Sequence, residues 1–161
     1  MKNRAKKFSP TIFGLALICF FLPFIEVSCQ GQKIVTYTGI QMITGTTIEQ
    51  PDLFGTGKQS KKVDPEPLAI FAFFSGVMGL GLSFLKGRKS SVAPAIAGII
   101  GVIALLLLKS KLNNEILKEG GGMLQLEYGV GFWLTFVLYL SAIGLNIFLL
   151  SGSKRQIEKQ V

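Results

Sequence analysis

Glu26 and Cys29 are the residues whose chemistry first draws attention, because both lie at the edge of an apolar run. A carboxylate within a membrane segment is a candidate proton or ion ligand. Glu26, at the outer end of its run and with no embedded cation beside it, reads better as a solvated or locally hydrogen-bonded residue. Cys29 is a candidate for lipidation or cross-linking, but packing beneath a loop is the simpler reading of an apolar thiol. The other cysteine, Cys19, lies ten residues earlier. In a continuous helix it would sit mid-membrane, about 15 Å below Cys29, too far for a disulfide. Asn146 stands among apolar neighbours and predicts a helix–helix hydrogen bond of about 0.6 kcal/mol. The sequence holds no histidine, which removes the commonest general base and metal ligand. Gly76, Gly79 and Gly81 lack the strand and lysine of a phosphate loop and read as packing positions. We find no metal-ligand spacing, no nucleophile–base pair and no cofactor fingerprint, so no enzyme, metal or cofactor is expected.

The elements that position these residues are apolar. Charged residues make up 16% of the chain, and its mean hydropathy is +0.50. Four stretches of 17 to 21 residues carry no Asp, Glu, Lys or Arg. A spanning helix needs about 20 residues at 1.5 Å rise, so the expected fold class is an all-α membrane protein, a four-transmembrane-helix bundle. The first span is predicted at about residues 10–27, the others at 68–85, 92–108 and 130–150. Lys2, Arg4, Lys6 and Lys7 before the first run also suit a cleavable signal. Pro23 and the bulky Phe20, Phe21 and Phe24 favour a retained anchor instead.

The first outer loop, residues 28–67, is expected to be partly β. Ile34, Val35 and Thr36 suit a strand, and Gly31-Gln32 could turn a hairpin between 27–30 and 33–37. Residues 38–43 suit one helical turn, with Ile40 and Ile43 three apart on one side. The polar stretch 49–67 reads as a mobile loop. Residues 86–91 are a short turn, so the second and third helices must be antiparallel neighbours. Ser75, Gly79 and Ser83 recur every fourth residue on one, and Ala93, Ala97 and Gly101 on the other. Small residues four apart let membrane helices approach closely, and the antiparallel register would pair Ser83 with Ala93, Gly79 with Ala97 and Ser75 with Gly101. Beyond 108 the third helix is expected to continue until Gly120-Gly121-Gly122, followed by an extended or irregular return to residue 128. Tyr128, Phe132 and Trp133 sit where an interfacial aromatic belt would fall.

Charge sets the expected orientation. The N-terminus, the 86–91 turn and the 151–161 tail carry ten basic residues against Glu158, whereas the opposite loops, 28–67 and 109–129 together with Glu26, carry seven against eight acids. The positive-inside rule then puts both termini in the cytoplasm of a multi-pass inner-membrane protein. The basic excess meets lipid headgroups rather than nucleic acid.

Phe21-Leu-Pro-Phe-Ile-Glu-Val-Ser-Cys-Gln-Gly-Gln32, Thr38-Gly-Ile-Gln-Met-Ile-Thr-Gly45 and Gly131-Phe-Trp-Leu-Thr-Phe-Val-Leu-Tyr-Leu-Ser-Ala-Ile-Gly-Leu-Asn146 resemble segments of a group of small uncharacterised bacterial four-helix inner-membrane proteins. That resemblance spans most of the chain and implies no catalytic residue. The layout is also similar to claudins, without their tryptophan and cysteine pair in the first outer loop. The expected function is non-enzymatic: an accessory or structural subunit that binds a protein partner, or a further copy of itself, through outer loops or helix faces. The alternative is a small oligomeric channel or transporter component.

Overall fold

The computed structural model describes residues 2–29, 32–50, 59–84, 92–119 and 124–157. These form, in chain order, α1 (Lys2–Cys19), β1 (Pro23–Cys29), β2 (Gln32–Thr38), α2 (Gly39–Thr44), β3 (Thr46–Gln50), β4 (Gln59–Val63), α3 (Pro67–Ser83), α4 (Val92–Glu119), β5 (Leu124–Tyr128) and α5 (Val130–Ile157). The protein is mostly helical, with small antiparallel sheets. Among the described residues two segments are long and apolar enough to cross a membrane, Val92–Ile116 and Val130–Leu150; α3 and the apolar part of α1, Ser9–Cys19, are shorter.

The four long helices pack in a closed sequence, α1 on α3, α3 on α4, α4 on α5 and α5 on α1. Their common centre is Tyr139 of α5, which is fully buried. Its hydroxyl donates to the Ala72 carbonyl of α3 at 2.7 Å. The ring fits because two helices carry glycine where it passes. A Cβ on Gly76 would lie 2.6 Å from the Tyr139 hydroxyl, and one on Gly101 would lie 2.7 Å from Cε2. Phe13 of α1 closes the fourth side, with ring centroids 6.1 Å apart.

Among the expected contacts between the second and third spans, that of Ser75 with Gly101 is found. A Cβ on Gly101 would lie 2.7 Å from Ser75 Oγ. Gly79 instead faces the Phe13 ring of α1, and Ser83 hydrogen-bonds to Ser9 of α1. Ala97 is buried and Ala93 half-buried. Every fourth residue advances about 40° beyond a full turn, so a row begun by Ser75 against α4 turns toward α1 by Ser83.

The first helix also needs correction. It begins at Lys2 and ends at Cys19, so residues 23–27 are strand and Cys19 lies at the helix end, not at mid-membrane. Turn bonds from Phe20, Phe21 and Leu22 to the carbonyls of Leu17, Ile18 and Cys19 finish the helix. Pro23 then has no N–H to continue it and holds the preceding residue extended. β1 pairs with β2 as the anticipated hairpin, whose turn, Gln30-Gly31, lies outside the described residues. The other edge of β1 is taken by β5, an addition to the expected return that no local signal indicated.

Thr38 caps α2 through a capping box: the Gln41 N–H donates to Thr38 Oγ1 at 3.2 Å, and the Thr38 N–H donates to Gln41 Oε1 at 3.0 Å. The Ile40 N–H bonds the Phe20 carbonyl and the Glu66 N–H bonds the Met42 carbonyl, which seats α2 between the end of α1 and the start of α3. Gly45, with φ of 73°, turns the chain into β3. The expected mobile loop is in part a ribbon, since β3 and β4 pair from Thr46↔Val63 to Gln50↔Gln59, with 51–58 outside the described residues. α4 continues past 108 as anticipated, while Gly120 to Gly122 and the 86–91 turn lie outside the described residues.

Gly101→Leu fills the space of the Tyr139 ring and should cost about 1–3 kcal/mol, the usual penalty of overpacking. Tyr139→Phe should cost less, about 0.6 kcal/mol, for one hydrogen bond between helices. Equilibrium unfolding in mild detergent measures both, and a Gly101→Leu chain as stable as the parent would contradict this packing.

Candidate functional site

The residues able to interact with something outside the molecule gather at the end where β1, β2, β5 and α2 meet the helices. Strand alternation divides the three-stranded sheet into two faces. Ile25, Val27, Val35, Tyr37, Leu126 and Tyr128 are buried or half-buried, most of them against the helical core. Glu26, Thr36 and Glu127 stand level across the three strands on the other face.

Glu26 is therefore a residue of the central strand, and its carboxylate pairs with Lys33 of β2. The hydrogen bond to Glu26, and then its charge, hold the Lys33 ammonium above its usual range, with Glu127 adding to the attraction. Like charges directly opposite on neighbouring strands repel, and Lys33 offsets this for Glu26 and Glu127. Cys29 ends β1, its backbone between Gln32 and Leu124; its side chain lies outside the described residues. Cys19 is a buried free thiol.

Two further links fix this end, and the sequence reading missed both. Lys111 of α4 donates to both carboxylate oxygens of Glu66, at 2.8 and 3.0 Å, and lies 3.5 Å from Glu115. Glu66 is the N-cap residue of α3, so the ion pair ties the start of one helix to the extension of the next. The Tyr128 hydroxyl lies 3.0 Å from the Lys109 carbonyl and 2.8 Å from Asn113 Oδ1, both acceptors within reach of its proton. Lys109 Nζ lies 5.2 Å from the Tyr128 ring centroid and 5.1 Å from that of Trp133. Of the expected aromatic belt, Trp133 and Tyr128 reach the surface, whereas Phe132 is fully buried against Phe24 and Tyr128.

Asn146 is far from this cluster. It is buried near the opposite end, where its Nδ2 donates to Ser9 Oγ at 3.2 Å and to the Ala142 carbonyl at 2.8 Å. Ser9 Oγ lies 3.1 Å from Ser83 Oγ, which donates to the Gly79 carbonyl at 2.7 Å. The single Ser9 proton has two acceptors within reach, Ser83 Oγ and, at 3.5 Å, Asn146 Oδ1, so polar contacts run from α5 through α1 to α3. The arrangement joins three helices through neutral polar groups.

No group of three or more potential metal-binding side chains occurs among the described residues. No known family model matches the sequence, and neither does any curated protein. The chemistry of this end is that of a polar, charged surface resting on an aromatic layer.

Burial pushes the Tyr128 phenol up to about 12, against an ordinary value of 10.0. A raised folded value means that the neutral phenol stabilises the fold in full below pH 10 and that this contribution is lost as pH rises toward 12. Phenolate absorbance should rise near pH 12 with an amplitude that Tyr128→Phe lowers by one phenol, and the parent should lose more stability than that variant across the interval. A Tyr128 that ionises at the ordinary value would show that its ring is not packed beneath the sheet.

Proposed function

We propose that the chain is a four-helix integral membrane protein of the inner membrane, with both termini cytoplasmic, and a non-enzymatic accessory or structural subunit. In this reading the β1–β2–β5 sheet is an extracytoplasmic cap that binds a protein partner. One observation carries it: each long helix leaves large apolar side chains uncovered. Leu15 and Ile18 do so on α1, Phe71, Phe74 and Met78 on α3, Ile96, Ile99 and Ile103 on α4, and Val137, Leu140 and Phe148 on α5. Soluble monomers rarely expose contiguous apolar patches beyond a few hundred Å². An apolar girdle on every helix matches a hydrocarbon solvent, and it supports four crossings even though the uncharged helical part of α1 is short.

Contacts at the two ends support the alternation of the spans. Ser9, Ser83 and Asn146 meet at one end, while Glu66, Lys111 and Tyr128 lie at the other with the sheet. The basic segments flank the first of these ends, and the polar face of the sheet lies at the second. Glu26, Thr36 and Glu127 stand level on that face.

Purification from native membranes in mild detergent should recover a stoichiometric protein partner, lost when Glu26→Lys and Glu127→Lys reverse the charge of the sheet. Proteoliposomes containing the chain alone should conduct no more than empty lipid. Ion flux abolished by Glu26→Gln would replace the accessory role with transport, and a partner retained by the double variant would remove the sheet from the interface.

A further inference from the structure

We propose that Lys109, Tyr128 and Trp133 form a binding site for the phosphate group of an outer-leaflet phospholipid, with preference for an anionic headgroup; this rests on the transmembrane reading above. The first observation is an imbalance among the lysines of this end. Lys33 pairs with Glu26 and Lys111 with Glu66, whereas Lys109 has only the faces of two aromatic rings. Among the described residues no carboxylate partners its ammonium and no acceptor meets the Trp133 indole N–H. An ammonium over π faces keeps its hydrogen-bonding capacity, because the rings stabilise its charge without accepting its protons in the manner of a carboxylate.

Rigidity is the second observation. The Lys109 carbonyl is bound by the Tyr128 hydroxyl, and Tyr128 packs on the buried Phe132 at a centroid distance of 4.9 Å. Trp133 is wedged edge-on between Phe132 and Phe136, while 48% of its surface stays open. Two N–H donor groups, one of them cationic, are therefore held at a fixed place on the outside of the α4–α5 pair.

The third observation is what surrounds them. Leu106, one turn before Lys109 on α4, and Val130 and Val137, one turn to either side of Trp133 on α5, share the faces of those residues and are exposed. An acyl chain lying along this surface would bring its phosphate to the level of Lys109, where the aromatic belt of a membrane protein meets the headgroups. The charge of the site complements phosphate, and the apolar strip below it suits a lipid rather than a free anion.

Trp133 is the only tryptophan in the chain, so its fluorescence reports this site alone. The full-length chain is reconstituted in phosphatidylcholine vesicles containing a small fraction of lipid with brominated acyl chains, carrying either a phosphatidylglycerol or a phosphatidylcholine headgroup. The brominated anionic lipid should quench with about a fivefold higher relative affinity, the scale of one basic residue near an anionic surface. Lys109→Gln should bring that ratio to about one, Lys109→Arg should keep it, and added inorganic phosphate should leave it unchanged.

Equal quenching by both headgroups in the parent, a preference that survives Lys109→Gln, or displacement by inorganic phosphate would overturn the proposal. No quenching by either brominated lipid would instead show that this end of α5 is not in contact with a bilayer. That outcome would overturn the transmembrane reading itself.

Discussion

A hydroxyl in the apolar middle of a helical protein must find an acceptor, and in this chain that requirement orders the rest. An unsatisfied polar group in such surroundings costs several kcal/mol, so Tyr139 is constrained to meet a backbone carbonyl. The carbonyl is that of Ala72, which fixes α5 against α3. The ring that carries the hydroxyl then needs room, and Gly76 and Gly101 give it by omitting a side chain on two helices. Phe13 fills the remaining side, so all four long helices meet at one residue. With that register set, the end of α1, the start of α3 and the start of α5 lie near one another, and the cap is built across them.

The two ends use polar groups differently. At the end holding Ser9, Ser83 and Asn146, neutral hydrogen bonds pass from helix to helix. At the sheet end the links are charged, between Glu66 and Lys111 and between Glu26 and Lys33. A half-exposed ion pair costs little desolvation where water is in reach, whereas a buried one would. This difference agrees with a chain whose middle is surrounded by lipid and whose sheet faces water.

Local chemistry was legible in the sequence wherever it decided the outcome. The β-branched run at Ile34 to Thr36 made a strand, residues 38–43 made a short helix, and α4 continued past residue 108. What could not be read was contact between distant segments. β5 joins β1 nearly a hundred residues away in the chain, and pairing between remote strands leaves no mark in either strand alone. The rows of small residues gave the neighbour of Ser75, but not the approach of Gly79 and Ser83 to α1, toward which helix rotation turns them. Tyr139 could have been found by the argument applied to Asn146, that a polar atom in an uncharged run requires a partner. The ion pair of Glu66 and Lys111 depends on two helix ends meeting, which their local sequences do not specify.

The account depends most on the chain crossing the membrane four times with the sheet on the far side from both termini. Single cysteines at Thr36 in β2 and at Ser90 between α3 and α4, in a chain with Cys19 and Cys29 replaced, test this directly. A membrane-impermeant thiol reagent added to intact cells should label the cysteine at 36, and that at 90 only after the membrane is opened. Labelling at 90 in intact cells, or protection at 36 until lysis, would contradict the account.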